Sequence, residues 1–513
     1  MRNLKAGVLA IIMFLPLVAC AGSAKYKVTG DVKPLLGEWE GPIQIKGAEI
    51  GMLVKFFTEN DTLKASIDIP MQGAYGLKLE GIQYDGQKIH FELPTQISRA
   101  VYDGTLKEKR IEGVFKQGAA NGTFFLEPSK KEATPPPPYK EEEVSVKVNE
   151  QVTLAGTLSI PDGAGPFPAV LMITGSGSQD RNEDVLGFKV FKVISDHLSR
   201  KGIAVLRCDD RGAGKSIGDR TKATSRDFYD DAVAQFEYLK TRPEIDPENI
   251  GIIGHSEGGI IAPMVASEHR DVAFIVMMAG PAVKGEELLK EQAAMVAKAE
   301  GRSEEDIKEN LVLQQKVLDA IKSGTGFDEL REEIRKAAIK EAKAMPKEER
   351  SALGNINKYA KNVADAQMEF IKSPWMKYFV EYDPRPTLAK VDCRVLAFFG
   401  KLDVQVPAES QSKELEKVFK DAGKENYLIK ICCQANHLFQ PAKTGAVSEY
   451  AKLPKEFTPC FLPTVTAWIL EQPIPDECDH AEKETPSAPS DCPSNEKPSS
   501  GCGGCPYEKL HNK

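Results

Sequence analysis

Between residues 250 and 259 the chain passes from an apolar run, Ile250-Gly251-Ile252-Ile253, through Gly254-His255-Ser256-Glu257-Gly258-Gly259. It then enters a helix-compatible stretch with Ile260, Ile261, Met264 and Val265. A strand that ends in G-x-S-x-G and runs straight into a helix needs the sharp strand-turn-helix connection of an α/β sheet. The glycines let the chain turn without a side-chain clash, and the Ser256 hydroxyl is left standing above the sheet. Alone, the motif also fits an ordinary strand–helix turn, so its meaning depends on partners elsewhere in the chain.

A serine nucleophile needs a general base, and the base needs an orienting carboxylate. In a sheet with this elbow they follow in the order Ser, acid, His. Of seven histidines, His90 alternates within a β-like stretch, His197 lies in an amphipathic helix, His255 and His269 flank the elbow region, and His480 and His511 sit in a polar tail. Only His437 follows a buried-strand pattern, Tyr427-Leu428-Ile429-Lys430-Ile431-Cys432, and opens into a loop. For the acid, the run Arg394-Val395-Leu396-Ala397-Phe398-Phe399 turns out through Gly400-Lys401-Leu402 to Asp403. Asp403 is thus expected at a strand's carboxyl end, where catalytic groups gather in α/β sheets. Asp392 and Asp383 are the alternatives, and Asp392 precedes the strand, at the wrong end. An oxyanion hole is expected from the backbone N–H of Glu257 and one from Thr174-Gly175-Ser176-Gly177-Ser178, which follows the strand Ala169–Ile173. Ser176 is the favoured donor and Gly177 the reserve.

Residues 143–472 resemble the serine hydrolases of the α/β-hydrolase superfamily, in particular the carboxylesterase-like branch near dienelactone hydrolases and serine aminopeptidases. The resemblance rests on Ile173 to Arg181, Cys208-Asp209-Asp210-Arg211-Gly212-Ala213-Gly214-Lys215-Ser216, and the elbow. Downstream it rests on Ser373-Pro374-Trp375, Tyr382-Asp383-Pro384, Gly400 to Pro407 and Asn436-His437. It implies an esterase acting on short acyl esters, with Ser256, Asp403 and His437 as a catalytic triad and no metal or organic cofactor. Thr174 departs from the pattern, since many relatives carry His before the Gly. The oxyanion donors are backbone groups, so the hole survives the change. Gly212 to Ser216 is not a phosphate-binding loop, because the position five before the Gly of the GK pair is Asp209. It is expected to form a turn.

At 513 residues the chain exceeds one ordinary core. A net charge of −8, with no basic patch, argues against a nucleic-acid binder. Residues 1–19 read as a signal peptide: Arg2 and Lys5 precede a short apolar stretch that ends Leu17-Val18-Ala19-Cys20. That ending resembles a bacterial lipobox, with Cys20 as the lipidated first residue of the mature chain. The alternative is conventional cleavage. Ala21 follows in place of an Asp retention signal, so the outer membrane or the cell surface is the expected address. Ten cysteines less Cys20 leave an odd nine. Cys208, Cys393, Cys432 and Cys433 read as small core hydrophobes.

Residues 25–128 form a separate β-rich unit, expected to be an antiparallel barrel or sandwich. In it Leu63, Ala65, Ile67 and Ile69 alternate with polar residues, and Trp39 reads as a core plug. Residues 129–143, with Pro135 to Pro138, form a stiff linker. The α/β-hydrolase unit, residues 144–472, opens with a hairpin (Val146 to Ile160) and places Phe228, Ala232, Phe236 and Leu239 on one buried helix face. A charged helical insertion over about residues 283–372 falls where such folds carry a cap, and Trp375 is the expected pocket residue beyond it. The tail, residues 473–513, is Pro/Ser/Glu-rich and expected to be disordered. Its Cys478, His480, Cys492, Cys502 and Cys505 lack zinc-finger spacing, which favours local disulfides or no structure. Two other readings are an exopeptidase, amidase or thioesterase on the same scaffold, and a surface binding protein with an idle triad.

Overall fold

The computed structural model describes residues 28–45, 48–59, 62–69, 74–94, 99–118, 120–129 and 137–475. The signal stretch with Cys20, most of the Pro-rich linker and the cysteine-bearing tail lie outside them.

The N-terminal unit contains β1 (Gly37–Ile45), β2 (Ala48–Glu59), β3 (Thr62–Ile69), β4 (Ala74–Tyr84), β5 (Lys88–Leu93), β6 (Ala100–Lys107), β7 (Arg110–Gln117) and β8 (Ala120–Pro128). Each pairs antiparallel with the next, and β8 returns to β1, with Ile43 opposite Phe124. Of the two arrangements the alternation allowed, this is the closed barrel. Leu63, Ala65, Ile67 and Ile69 point inward from β3, and Ile89, Phe91 and Leu93 from β5. Aromatic rings fill the interior. Phe91 stacks on Tyr102 at 4.8 Å and meets Phe124 edge-on at 6.0 Å. Trp39 plugs this core, its indole N–H donating to the Leu35 carbonyl at 2.8 Å.

The second core is built on an eight-stranded sheet. The hairpin β9 (Tyr139–Lys147) and β10 (Thr153–Pro161) forms its antiparallel edge. Next along the chain come β11 (Phe167–Ile173), a two-stranded ribbon of β12 (Asp184–Val185) and β13 (Phe188–Lys189), α1 (Val190–Ser199), β14 (Ala204–Cys208) and α2 (Ser225–Lys240). They are followed by β15 (Ile245–His255), α3 (Gly258–Glu268) and β16 (Phe274–Met278). The helical insertion is α4 (Gly285–Ala299), α5 (Glu304–Ser323), α6 (Phe327–Ala344), α7 (Lys347–Ala352) and α8 (Ile356–Ile371). The chain then returns through α9 (Pro374–Glu381) and α10 (Arg385–Leu388) to β17 (Arg394–Gly400), α11 (Ala408–Asp421), β18 (Tyr427–Cys432) and α12 (Phe461–Ile469).

Across the sheet the order is β18-β17-β16-β15-β11-β14-β10-β9. The six strands from β18 to β14 are parallel, and β10 pairs antiparallel with β14. Helices cover both faces of such a sheet, so its strands read as unbroken apolar runs rather than alternating ones. Every residue of β16 is buried, as is Ala169 to Ile173 of β11. The parallel arrangement also brings the carboxyl ends of β11, β15, β17 and β18 to one edge, and the candidate residues follow those ends.

The insertion has its own small core, with Leu318 and Ile321 of α5 against Leu330 and Ile334 of α6 and Met368 of α8. Helix α5 shows how local sequence sets its limits. Ser303 accepts the Asp306 N–H at its start, and Gly324, at φ +70°, closes its end. On α2, Tyr229, Ala232, Phe236 and Leu239 are buried, whereas Phe228 is only half-buried, with the Arg220 guanidinium 4.6 Å over its ring. Gly212 to Ser216 forms a turn, with the Lys215 N–H on Asp209 Oδ2 at 3.0 Å. Cys208 and Cys432 are buried as expected, but Cys433 is exposed. It lies in the turn just past β18. The Cys432 sulfur lies 3.4 Å from that of Cys460.

Candidate active site

Ser256 directly follows β15 and holds a φ of +53°, rare for a residue with a side chain. Two backbone bonds fix the turn: the Ser256 N–H donates to the Met278 carbonyl at 2.8 Å, and the Gly259 N–H to the Ser256 carbonyl at 2.9 Å. The flanking glycines are required by space. A Cβ on Gly258 would fall 2.1 Å from the Ile173 carbonyl oxygen, and one on Gly254 would fall 2.0 Å from that of Gly258. Strand β11, the elbow and the start of α3 therefore meet backbone to backbone.

Asp403 lies three residues past β17 and is 1 % exposed. Its Oδ1 accepts the amides of Gln405 at 2.7 Å and Val406 at 2.9 Å, which fixes the carboxylate plane. His437 Nδ1–H donates to Asp403 Oδ2 at 2.8 Å. The loop carrying His437 is shaped by Asn436, whose Oδ1 accepts the Leu438 and Gln440 amides, each at 3.0 Å. Such local side-chain bonds let a short segment hold one shape without regular structure. Among the described residues the Ser256 hydroxyl has no hydrogen-bond partner, so it is free to turn toward a base.

The loop after β11 lies against Ser256, and a Cβ on Gly175 would sit 3.2 Å from Ser256 Cβ. Its amides are not equivalent. Gly175 N–H is committed to Glu183 Oε1 at 2.8 Å. The N–H groups of Ser176, Gly177 and Glu257 have no partner among the described residues. Gly177 has a φ of +104°, which a side chain would resist.

Three carboxylate side chains near the elbow, those of Glu257, Glu183 and Asp210, were given no role from the sequence. Glu257, 2 % exposed, accepts from the Ser225 hydroxyl at 2.6 Å and from Trp375 Nε1–H at 2.7 Å. Trp375 is thus tied to the residue after Ser256, held by this bond and by stacking on Phe379 at 5.1 Å. Glu183 is 1 % exposed and sits 2.8 Å from His255 Nδ1. Asp210 accepts from Thr174 Oγ1 at 2.6 Å and from Arg220 at 2.9 Å. Burial pushes its carboxyl up to about 6 in spite of these donors. Asp210, Thr174, Glu257 and Gln235 line a cavity of about 30 Å³ behind the elbow, room for a water or two.

The remaining described histidines stand apart. His90 pairs with Asp103 in the barrel, His197 with Thr466, and His269 caps α3 beside Tyr229. Asp392 lies on the surface in ion pairs with Arg270 and Lys424, and Asp383 pairs with Arg385.

The chain is similar to several known hydrolases and esterases. The family described as serine aminopeptidase, S33, matches residues 188–333, a span that holds the elbow but ends before Asp403 and His437. Esterase EstD of Thermotoga maritima is 28% identical over 359 residues, covering 68% of this chain and 74% of that protein. The putative hydrolase YtaP of Bacillus subtilis is 33% identical over 117 residues, 19% of this chain and 38% of that protein. Among solved structures, the Pyrococcus furiosus esterase Pf2001 aligns with a TM-score of 0.37 at 17% identity, covering 61% of this chain and 89% of that one. The sheet order, the crossover helices and the elbow at the end of β15 make the second core an α/β-hydrolase fold.

Proposed function

We propose that this α/β-hydrolase chain is a serine esterase that cleaves short-chain acyl esters through Ser256, His437 and Asp403. The observation that carries the reading is the buried Asp403–His437 hydrogen bond, 2.8 Å long, on the same sheet edge as the strained Ser256 elbow. The esterase relative matching 68% of the chain supports it.

In this mechanism His437 Nε2 accepts the Ser256 proton as Oγ attacks the ester carbonyl. Asp403 holds the imidazole in the tautomer that leaves Nε2 free and stabilises the imidazolium that forms. The carbonyl oxygen gains charge in the tetrahedral intermediate and is met by the unpartnered amides of Glu257 and Ser176, with Gly177 in reserve. Each such donor typically contributes about 10²–10³ in rate. His437 then protonates the leaving alcohol, and water repeats the cycle on the acyl-enzyme. The buried Glu257 side chain, tied to Ser225 and Trp375, keeps its own amide in place. The insertion α4–α8 serves as a cap, and Trp375 forms part of the pocket wall. No metal or organic cofactor enters any step. Export as a lipoprotein anchored through Cys20 completes the reading.

Turnover of p-nitrophenyl acetate, butyrate and decanoate by the full chain, beside Ser256→Ala, tests the proposal. The expected result is hydrolysis that falls with acyl length and drops by about 10⁴ or more in the variant. Equal rates in both proteins would overturn it, and turnover of peptide or thioester substrates in preference would reassign the substrate.

A further inference from the structure

Beside the Asp403–His437 pair stands a second buried carboxylate–imidazole pair that the proposed reaction leaves unused. His255 is 3 % exposed and Glu183 1 %. His255 Nδ1 lies 2.8 Å from Glu183 Oε1, and His255 Nε2 lies 3.1 Å from the main-chain carbonyl oxygen of His437. The His437 carbonyl can only accept, and Glu183 accepts as a carboxylate, its Oε1 already taking the Gly175 N–H. An imidazole can satisfy two acceptors only by donating from both nitrogens, that is, as imidazolium.

These bonds join three segments far apart in sequence. The Glu183 oxygen that faces His255 also takes the Gly175 N–H at 2.8 Å, which removes that amide from the oxyanion hole and pins the loop behind Ser256. His255 itself immediately precedes Ser256. Its other bond ends on the backbone of His437, and the two rings are 4.8 Å apart. One carboxylate oxygen and one imidazole therefore connect the oxyanion loop, the elbow and the loop of the base.

The arrangement carries costs that a packing residue would not retain. Glu183 Oε2 is buried without a hydrogen-bond partner among the described residues. The Glu183 backbone is also held at φ +49°. Half-satisfied buried carboxylates and left-handed non-glycine residues each cost free energy, and both concentrate at functional sites.

Resting on the esterase reading, we propose that Glu183 and His255 are positioning residues. They form a fixed carboxylate–imidazolium pair that holds the oxyanion loop and the His437 loop in register around Ser256. Neither touches the substrate. Among the described residues three groups face His255: Glu183 from the segment before β12, His437 from the loop after β18, and Asp403 from the loop after β17. Burial alone would push His255 down. The charge and hydrogen bond of Glu183, the His437 carbonyl and Asp403 outweigh it and hold the imidazole above its ordinary value. When His255 finally loses its proton, one of its two bonds is lost, so activity should carry a basic limb that belongs to His255.

The test uses the full chain with p-nitrophenyl acetate, and amide hydrogen exchange as a readout independent of turnover. His255→Phe removes both donors. His255→Asn keeps one near the Nδ1 position, and His255→Gln one near Nε2. We expect kcat to fall about 10–100-fold in His255→Phe with KM changed little, because loop misplacement of an ångström costs about that much. The Asn and Gln variants should recover part of it. Glu183→Gln leaves an acceptor but no charge, so the basic limb should move to lower pH by about one unit or more. In His255→Phe and Glu183→Gln, exchange should rise together in residues 175–178 and 436–439. The inference is overturned by a kcat within twofold of the parent with an unmoved basic limb, or by faster exchange in only one of the two loops. If turnover does not depend on Ser256, the esterase reading fails, and joint or separate loosening of the loops still decides this one.

Discussion

Holding Ser256 in the left-handed region costs a residue with a side chain about 1–3 kcal/mol, offset here by the packing of β11, β15 and α3 around it. The rest of the proposed chemistry depends on single bonds of similar size. Asp403 is the clearest case, since its carboxylate accepts two backbone amides on one oxygen and His437 on the other. In Asp403→Asn the amides can still be accepted by the side-chain oxygen, leaving NH₂ toward His437 and the imidazole in the wrong tautomer. That substitution should lower kcat by about 10⁴ with little change in Tm, measured by ester turnover and calorimetry. Ser256, Asp403 and His437 could be read from sequence because each follows a recognisable strand and opens a short loop. Glu183 could not. It lies in Gln179-Asp180-Arg181-Asn182-Glu183-Asp184, where each residue looks like surface, and its partner His255 is 72 positions away. The one available signal was an unexplained histidine beside the nucleophile. Glu257 was read for its backbone alone, and nothing in its neighbours announces that Ser225 and Trp375 converge on its side chain.

Strands and helices were legible to the extent that burial imposes a period. Alternation identified the barrel strands, continuous apolar runs identified β11, β15, β17 and β18, and charge density marked the insertion between β16 and β17. Closure was not legible, because one strand's alternation is the same in a barrel and in a sandwich. Register and sheet order are likewise set by contacts between distant segments. Cys433 was misjudged because it lies in the turn just past β18, where the strand's burial no longer applies. Within the insertion, the clasp between α4 and α5 gives a pH prediction. Glu286 accepts from Lys322 and Lys290, each at 2.9 Å, and these bonds hold its carboxyl down from 4.5 to about 2. A lowered carboxylate stabilises the fold above its unfolded value and loses that contribution as pH falls through its folded one. Thermal stability should therefore decline as pH is lowered from about 4.5 to about 2, and Glu286→Gln should make that decline shallower in a Tm–pH series.

For the chain as a whole, the separation of two cores was visible in composition: Pro135 to Pro138 lies between the last barrel strand and β9. The proposed address is tested by the N-terminus alone. Cys20→Ser should move the protein from the membrane fraction to the soluble one and abolish incorporation of labelled palmitate, since stable anchoring takes two or more acyl chains. Retention of both membrane association and label would show that Cys20 is not the anchor. The closure of the barrel bears on the proposed address. Lipid-anchored proteins are confined to two dimensions and collide with their own copies far more often than free ones. In a β-rich unit an open sheet edge would turn each collision into a chance to add a strand from a neighbour. With β8 hydrogen-bonded back to β1, the barrel offers a neighbouring copy no strand edge to extend.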